Sequence, residues 1–265
     1  MNPNQPIITL RGLKKSYDGV DYVLKGINLD VAPGKVIGYI GPNGAGKTTT
    51  VKIMIGMLPQ FSGEVKVLGL DIAEHAQDVK KHIGYVPETA ALYDTLTPNE
   101  YLYFLGQIYE IPKQEIQRRA GDMLSLFGLK DHANSRMNSF SKGMKQKVLI
   151  IASMIHDPDI LFMDEPLSGL DVNMMLIVKE ILAQLAAKGK TIFYCSHVMD
   201  VVERVCDRIV IIDKGTIIAD GTFDELQAMS KGESLERIFT QLTGASGHER
   251  VAQEFISAFK EEKSG

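Results

Sequence analysis

The stretch Gly41-Pro42-Asn43-Gly44-Ala45-Gly46-Lys47-Thr48 fits the spacing G-x-x-x-x-G-K-[ST], and few eight-residue patterns restrict a fold so tightly. The apolar run Val36-Ile37-Gly38-Tyr39-Ile40 precedes it, and the pattern predicts a helix over 48–57 after it. A strand that turns through glycines into a helix can aim successive backbone N–H groups at one point, where the helix N-terminus adds positive potential. The anion that suits such a cradle is a phosphate chain. Lys47 can reach its terminal groups, and the Thr48 hydroxyl can ligand Mg²⁺. A mere glycine-rich turn between buried elements leaves the agreement of residues and flanks unexplained.

The 265 residues give room for one large domain, or one domain with an insertion. Apolar residues at 45% and charged residues at 23% are a globular composition rather than a disordered one. A net charge of −4 argues against nucleic acid as the partner, because tight binders carry a basic surplus. Cys195 and Cys206 form no CxxC pair, which fits a reduced interior. Residues 1–6 are polar, so no signal peptide is expected. No apolar run approaches the roughly 18 residues of a spanning helix. The chain is expected to dock on a membrane at most.

Strands are predicted at 7–10 and 22–31, with a polar loop over 14–19 between them. Tyr17 on that loop is either a surface residue or a platform for a flat ring. Residues 61–69 read as a short strand between glycine turns. The pattern turns helical over 90–158. Thr97 caps, Pro98 takes the first helical position and Glu100 sits three beyond the cap, which starts a helix reaching about residue 109. Further helices are predicted at 113–127 and 142–154. Residues 160–163 are an unbroken apolar run, the mark of a strand buried on both faces. Asp171 can cap a helix to about 187, residues 191–195 are a second buried strand, and 199–205 a helix. Strands at 208–212 and 216–218 meet at the turn 213–215. This alternation is that of a layered α/β sheet.

The tail is helical by pattern. Leu235, Ile238, Phe239 and Leu242 form one apolar stripe, and Val251, Phe255, Ile256 and Phe259 another after the break at 244–247. The second stripe requires a partner: the body of this chain, another protein or a membrane surface.

Asp164-Glu165 ends the strand at 160–163, at the edge where open sheets bind ligands. Asp164 can hold Mg²⁺ through its water shell, and Glu165 can polarise an attacking water. A structural ion-pair role is the competing reading. Ser168-Gly169-Leu170-Asp171 makes a polar turn before the next helix. Phe140-Ser141-Lys142-Gly143-Met144-Lys145-Gln146-Lys147 is a Ser/Gly turn opening a basic helix start; its N–H groups could bind an anion, though an ordinary cap explains it equally. Ser196-His197 leaves the sheet at the same edge as the acidic pair, which favours a functional His197 over a structural one.

Taken together, these motifs resemble the ATP-binding subunits of ABC transporters, most closely the stand-alone subunits of bacterial exporter-type systems. The resemblance covers about residues 7–225. It implies a P-loop NTPase core with a mainly parallel sheet, an N-terminal antiparallel β subdomain, an inserted helical subdomain over about 90–158, and a C-terminal helical extension. The implied division is an ATPase domain over 1–225 and an extension over 226–265. By the resemblance, Asn43, Gly44, Ala45, Gly46, Lys47, Thr48 and Thr49 hold ATP, with Tyr17 stacked on adenine. Thr48, Glu88 and Asp164 hold Mg²⁺. Glu165 is the catalytic carboxylate and His197 the switch histidine. Ser141 and Gly143 of a second ATP-binding subunit, taken as another copy of this chain, complete the site head-to-tail.

The implied partner is a separate integral membrane permease, with the chain cytoplasmic and peripheral on the inner face of the cell membrane, and transport in the export direction. Two departures stand out. Glu88 occupies a position where the family usually has Gln, and Lys142 and Met144 loosen the signature loop. A carboxylate at 88 can still contact Mg²⁺, directly or through water, with more charge. The rival class is a regulatory or mechanical ATPase without a permease. DNA-repair relatives of that class carry long coiled coils and translation-factor relatives two ATPase halves, and neither feature is seen here. A purely structural binding module would need a dead site at Glu165.

Overall fold

The computed structural model describes residues 5–89, 92–230, 233–244 and 255–257. Three strands open the chain: β1 (Ile8–Ser16), β2 (Tyr22–Val31) and β3 (Val36–Ile40). Helix α1 (Lys47–Met54), strands β4 (Ser62–Val67) and β5 (Leu70–Asp71), helix α2 (Ile72–Lys80) and strand β6 (Ile83–Val86) follow. Then come three helices, α3 (Pro98–Ile108), α4 (Lys113–Leu126) and α5 (Lys142–Met154). The remainder alternates: β7 (Ile160–Asp164), α6 (Val172–Ala187), β8 (Thr191–Cys195), α7 (Met199–Val205), β9 (Arg208–Asp213), β10 (Thr216–Gly221), α8 (Phe223–Met229) and α9 (Leu235–Thr243).

The central sheet runs β10-β9-β3-β8-β7-β6. All its pairings are parallel except β9 with β10. Every residue of β3, β7 and β8 is buried, as strands covered on both faces must be. Their C-terminal ends therefore meet at one edge. A second, antiparallel sheet, β2-β1-β4-β5, packs with α1 on one face of the first, around Leu10, Leu24, Val51, Val65, Phe162 and Phe193. The other face carries α5, α6 and α7 and joins the helical insertion through Leu102, Leu124, Val148, Met163 and Val178. This is the predicted fold class: a P-loop NTPase-like α/β core, an N-terminal antiparallel sheet, an inserted helical subdomain and C-terminal helices.

Two expectations are corrected and one element is added. β1 does not stop at residue 10 but continues to Ser16. A register shift between Leu10 and Leu13 re-phases the alternation, so Leu13 is buried like Ile8 and Leu10. Lys15 is buried too, with Nζ donating to the carbonyls of Pro59 (3.0 Å) and Gln60 (2.8 Å). α1 ends at Met54 rather than 57, because Gly56 takes φ +66 and closes the helix onto Ile53 O. α2 was not foreseen; its start is marked by Asp71, whose carboxylate accepts from Ala73 N at 2.9 Å. The capping box at Thr97 and Glu100 is present in both directions. Of the tail, α9 is described. Phe255 and Ile256 of the second stripe are exposed, and Val251 and Phe259 lie outside the described residues.

Candidate functional site

The loop from β3 to α1 curls as the glycine spacing requires. Gly46 sits at φ +109, and a Cβ there would meet Leu24 Cδ2 at 2.6 Å, so both backbone angle and space demand glycine. Lys47 folds over its own loop, with Nζ donating to the carbonyls of Gly41 (2.7 Å) and Pro42 (3.1 Å). Thr48 Oγ1 donates to Asp164 Oδ2 at 2.8 Å, joining the loop to the end of β7.

Asp164 is almost fully buried. Burial raises its carboxyl above the ordinary value; the Thr48 bond and Lys47 oppose this, while Glu88 and Glu165 add to it. The next residue, Glu165, adopts φ +49, an uncommon backbone angle for a side-chain-bearing residue. Its N–H continues the ladder to Cys195 O at 2.9 Å. Its carboxylate is held from β8: Oε1 accepts from His197 N (2.9 Å) and His197 Nδ1 (2.7 Å), and Oε2 from Ser196 Oγ (3.1 Å).

These groups border one cavity of about 760 Å³, within the range of small-molecule and cofactor sites. Its lining takes in residues 41–49, Glu88, Asp164, Glu165 and His197, together with Val23, Met199 and Phe239. Tyr17 does not line it but stands at its margin, 62% exposed, with its hydroxyl 3.3 Å from Thr49 Oγ1. The Lys15 ammonium lies 5.3 Å from the Tyr17 ring centroid.

Ser141 and Gly143 are also outside the lining. Ser141 caps α5, its Oγ accepting from Met144 N at 3.3 Å. The face of α5 beginning there is bound to the turn that follows Glu165. Lys142 Nζ donates to Ser168 Oγ (2.8 Å), and buried Gln146 donates to Pro166 O (3.0 Å). A Cβ on Gly143 would meet Gly169 O at 2.4 Å. A neighbouring cavity of about 490 Å³ shares Glu88, Glu165 and His197 with the first and adds Lys142, Lys145 and Ser168.

Sequence reading missed Ser196 as a support of Glu165, Gln146 as the anchor of the following turn, and Phe239 as a wall of the cavity. Ser196 was visible only as the neighbour of His197. Phe239 lies forty residues from the nearest of the other lining residues, Met199, and had no local signal of a site.

The donor set fits a divalent cation bound with a phosphate chain. Around Lys47 stand three carboxylates, Glu88, Asp164 and Glu165. A polyphosphate alone would be repelled at that end, and a buried carboxylate beside a hydroxyl is what a hard cation completes. No cluster of three or more His, Cys, Asp or Glu able to hold a metal by itself occurs among the described residues. That agrees with Mg²⁺, which takes few protein ligands and keeps phosphate and water in its shell.

A glycine-rich phosphate loop opening a helix at the C-terminal edge of a parallel sheet, with acidic residues at the end of a strand two places away, defines a P-loop NTPase. The ABC transporter family matches residues 24–168, more than half of the chain. The chain belongs to that family, as one of its ATP-binding proteins, and is an ATPase. The linearmycin resistance ATP-binding protein LnrL of Bacillus subtilis (strain 168) is 39% identical over 229 residues, covering 86% of this chain and 73% of that one. A solved ATP-binding subunit of an ABC transporter superposes with a TM-score of 0.84 at 33% identity, covering 89% of this chain and 99% of that one. The fold is shared with the ATP-binding cassette MJ0796, solved as a dimer in a post-hydrolysis state bound to ADP and Pi, at a TM-score of 0.75 and 24% identity over 81% of this chain and 98% of that one. No helix among the described residues is long and apolar enough to cross a membrane.

Proposed function

We propose that the chain is the engine of an exporter: two copies bind ATP between them, hydrolyse it and drive a separate integral membrane permease, to which they attach on the inner face of the membrane. The observation that carries this reading is the division of the motifs. Lys47, Thr48, Asp164, Glu165 and His197 converge on one cavity, while Ser141 and Gly143 stand outside it. In a head-to-tail pair related by a two-fold axis, the Ser141 turn of each copy covers the open phosphate end of the other. The dimeric state of the cassette MJ0796 supports a pairing of two copies, and the resistance role in the name of LnrL supports export.

In this reading the amides of residues 43–49 and the Lys47 ammonium bind the phosphates, and adenine stacks on Tyr17. Thr48 and Asp164 hold Mg²⁺, with Glu88 beside them. When bound, the ion neutralises charge on the β- and γ-phosphates. Glu165 takes a proton from the attacking water as oxygen bonds to the γ-phosphorus. The bond to the ADP oxygen breaks, and that oxygen leaves with the electron pair. His197 orients Glu165 and contacts the γ-phosphate.

Co-purification from native membranes with crosslinking and mass spectrometry tests the reading. The arms are wild type and Glu165→Gln, each with MgATP. Crosslinks from the helical subdomain to a polytopic membrane protein are expected. An ATP-trapped dimer that recovers only soluble partners would transfer the chain to the regulatory ATPases.

A further inference from the structure

The C-terminal extension takes no part in the chemistry above, yet it reaches the nucleotide cavity. α9 is held on the body of the protein by Leu235 and Ile238, both buried in the core that also contains Val201, Val202 and Leu226. Leu242 is 44% exposed. One position beyond Ile238 the helix has turned by about 100°, and the Phe239 side chain there is only half-buried. It lines the cavity together with the phosphate loop, His197 and Met199. Most of that lining is the phosphate loop, Gly41 to Thr49, with Glu88, Asp164, Glu165 and His197. Val23, Met199 and Phe239 are its large apolar members. The ring thus has two surroundings: one side packs on the core that anchors α9, and the other faces the nucleotide cavity, where it stays partly open to water.

We infer that Phe239 is a nucleotide-site residue supplied by the extension, a wall that packs against bound nucleoside triphosphate and makes the seating of α9 depend on occupancy. Burial of the ring's exposed face by nucleotide removes apolar surface from water. It also excludes water from the side of the cavity that His197 borders, which strengthens the electrostatic contacts there. Nucleotide and α9 then stabilise each other, because anything that binds one arrangement of the helix more tightly favours that arrangement. The extension thereby senses nucleotide rather than merely following the domain. The inference rests on nucleotide binding at Lys47 and is independent of any permease.

The test uses the full-length chain and displacement of a fluorescent ATP analogue by MgATP. The variants are Phe239→Ala, Phe239→Leu, Leu242→Ala on the same helix, and Lys47→Ala. Phe239→Ala is expected to weaken MgATP binding on the order of tenfold, with Phe239→Leu recovering most of the loss and Leu242→Ala matching wild type. The rise in Tm on adding MgATP, taken from each variant's own nucleotide-free Tm, should be smaller for Phe239→Ala than for Leu242→Ala or wild type. Wild-type affinity in Phe239→Ala overturns the inference. So does an equal loss in Phe239→Ala and Phe239→Leu accompanied by a lower nucleotide-free Tm, since that is a packing role. If wild type and Lys47→Ala bind MgATP equally poorly, it is the ATP site itself that fails.

Discussion

His197 Nδ1 lies 2.7 Å from Glu165 Oε1, and the His197 N–H reaches the same oxygen at 2.9 Å. A carboxylate has no proton to give, so Nδ1 carries it and Nε2 faces away from Glu165. Both carboxylate oxygens are engaged, the second by Ser196. Glu165 is thus aimed by the two residues that follow β8, although it follows β7 itself.

That geometry makes Glu165→Gln a clean test. The amide oxygen can keep both His197 bonds, and the Ser196 hydroxyl can rotate to accept from the new NH₂ group. Only basicity is lost. Hydrolysis is expected to fall by about 10²–10⁴-fold, with MgATP binding retained. Phosphate-release kinetics beside an equilibrium binding assay check both halves. Unchanged turnover would remove Glu165 from the chemistry.

Burial of Asp164 costs stability whenever its carboxyl is ionised. Its carboxyl is raised by burial, so the folded chain binds the proton more tightly than the unfolded one. Ionised Asp164 therefore opposes folding as pH rises through its folded pKa, and a cation bound there, as proposed, would offset this. Asp164→Asn keeps an acceptor for Thr48 and removes the charge. Expected are a nucleotide-free Tm at least equal to wild type and a loss of most Mg²⁺-dependent hydrolysis. Thermal scans and ATPase assays at matched Mg²⁺ decide it, and a fall in both would mean the residue is structural.

Gln146 is buried and donates to Pro166 O, one residue past Glu165. Gln146→Leu leaves that carbonyl without its donor, at about 1–3 kcal/mol. A lower urea midpoint with unchanged slope is expected, together with slower hydrolysis, because the turn that steadies Glu165 loosens. Full activity at reduced stability would separate the turn from the site.

His156 gives a pH dependence of stability. Its ring stacks on Tyr109 with centroids 3.7 Å apart and planes 2° from parallel, and Nε2 donates to Ile83 O at 3.0 Å. Its buried Nδ1 has no partner among the described residues. Burial lowers its pKa below the ordinary 6.5. As pH falls below that value the unfolded chain takes the proton first, so the stabilisation by neutral His156 is complete above it and is lost toward the lower folded pKa. His156→Phe keeps the stack and removes the titration. The drop in Tm between about pH 7.5 and about pH 5.5 should shrink in that variant. An identical drop would assign the acid sensitivity elsewhere.

Much of this molecule was legible in the residues. The turn at residues 41–48, the capping box at Thr97 and the unbroken apolar strands act over a few residues, through backbone angles, hydrogen bonds to near neighbours and burial on both faces. Such effects depend on sequence alone, so the P-loop, the helical insertion and the parallel core could be foreseen. The N-cap at Asp71 was equally local and was overlooked. Contacts between distant segments were not legible in that way. Thr48 meets Asp164 across 116 positions and His197 meets Glu165 across 32, because the strand order β10-β9-β3-β8-β7-β6 brings the ends of β3, β7 and β8 to one edge. Residue types at the strand ends announced the chemistry, but only packing of the sheet put Ser196 under Glu165 and Gln146 under the next turn. Phe239 is the clearest case. Its periodicity specified an amphipathic helix, and the docking of that helix against α7 and α8 turned one position of the stripe toward the cavity.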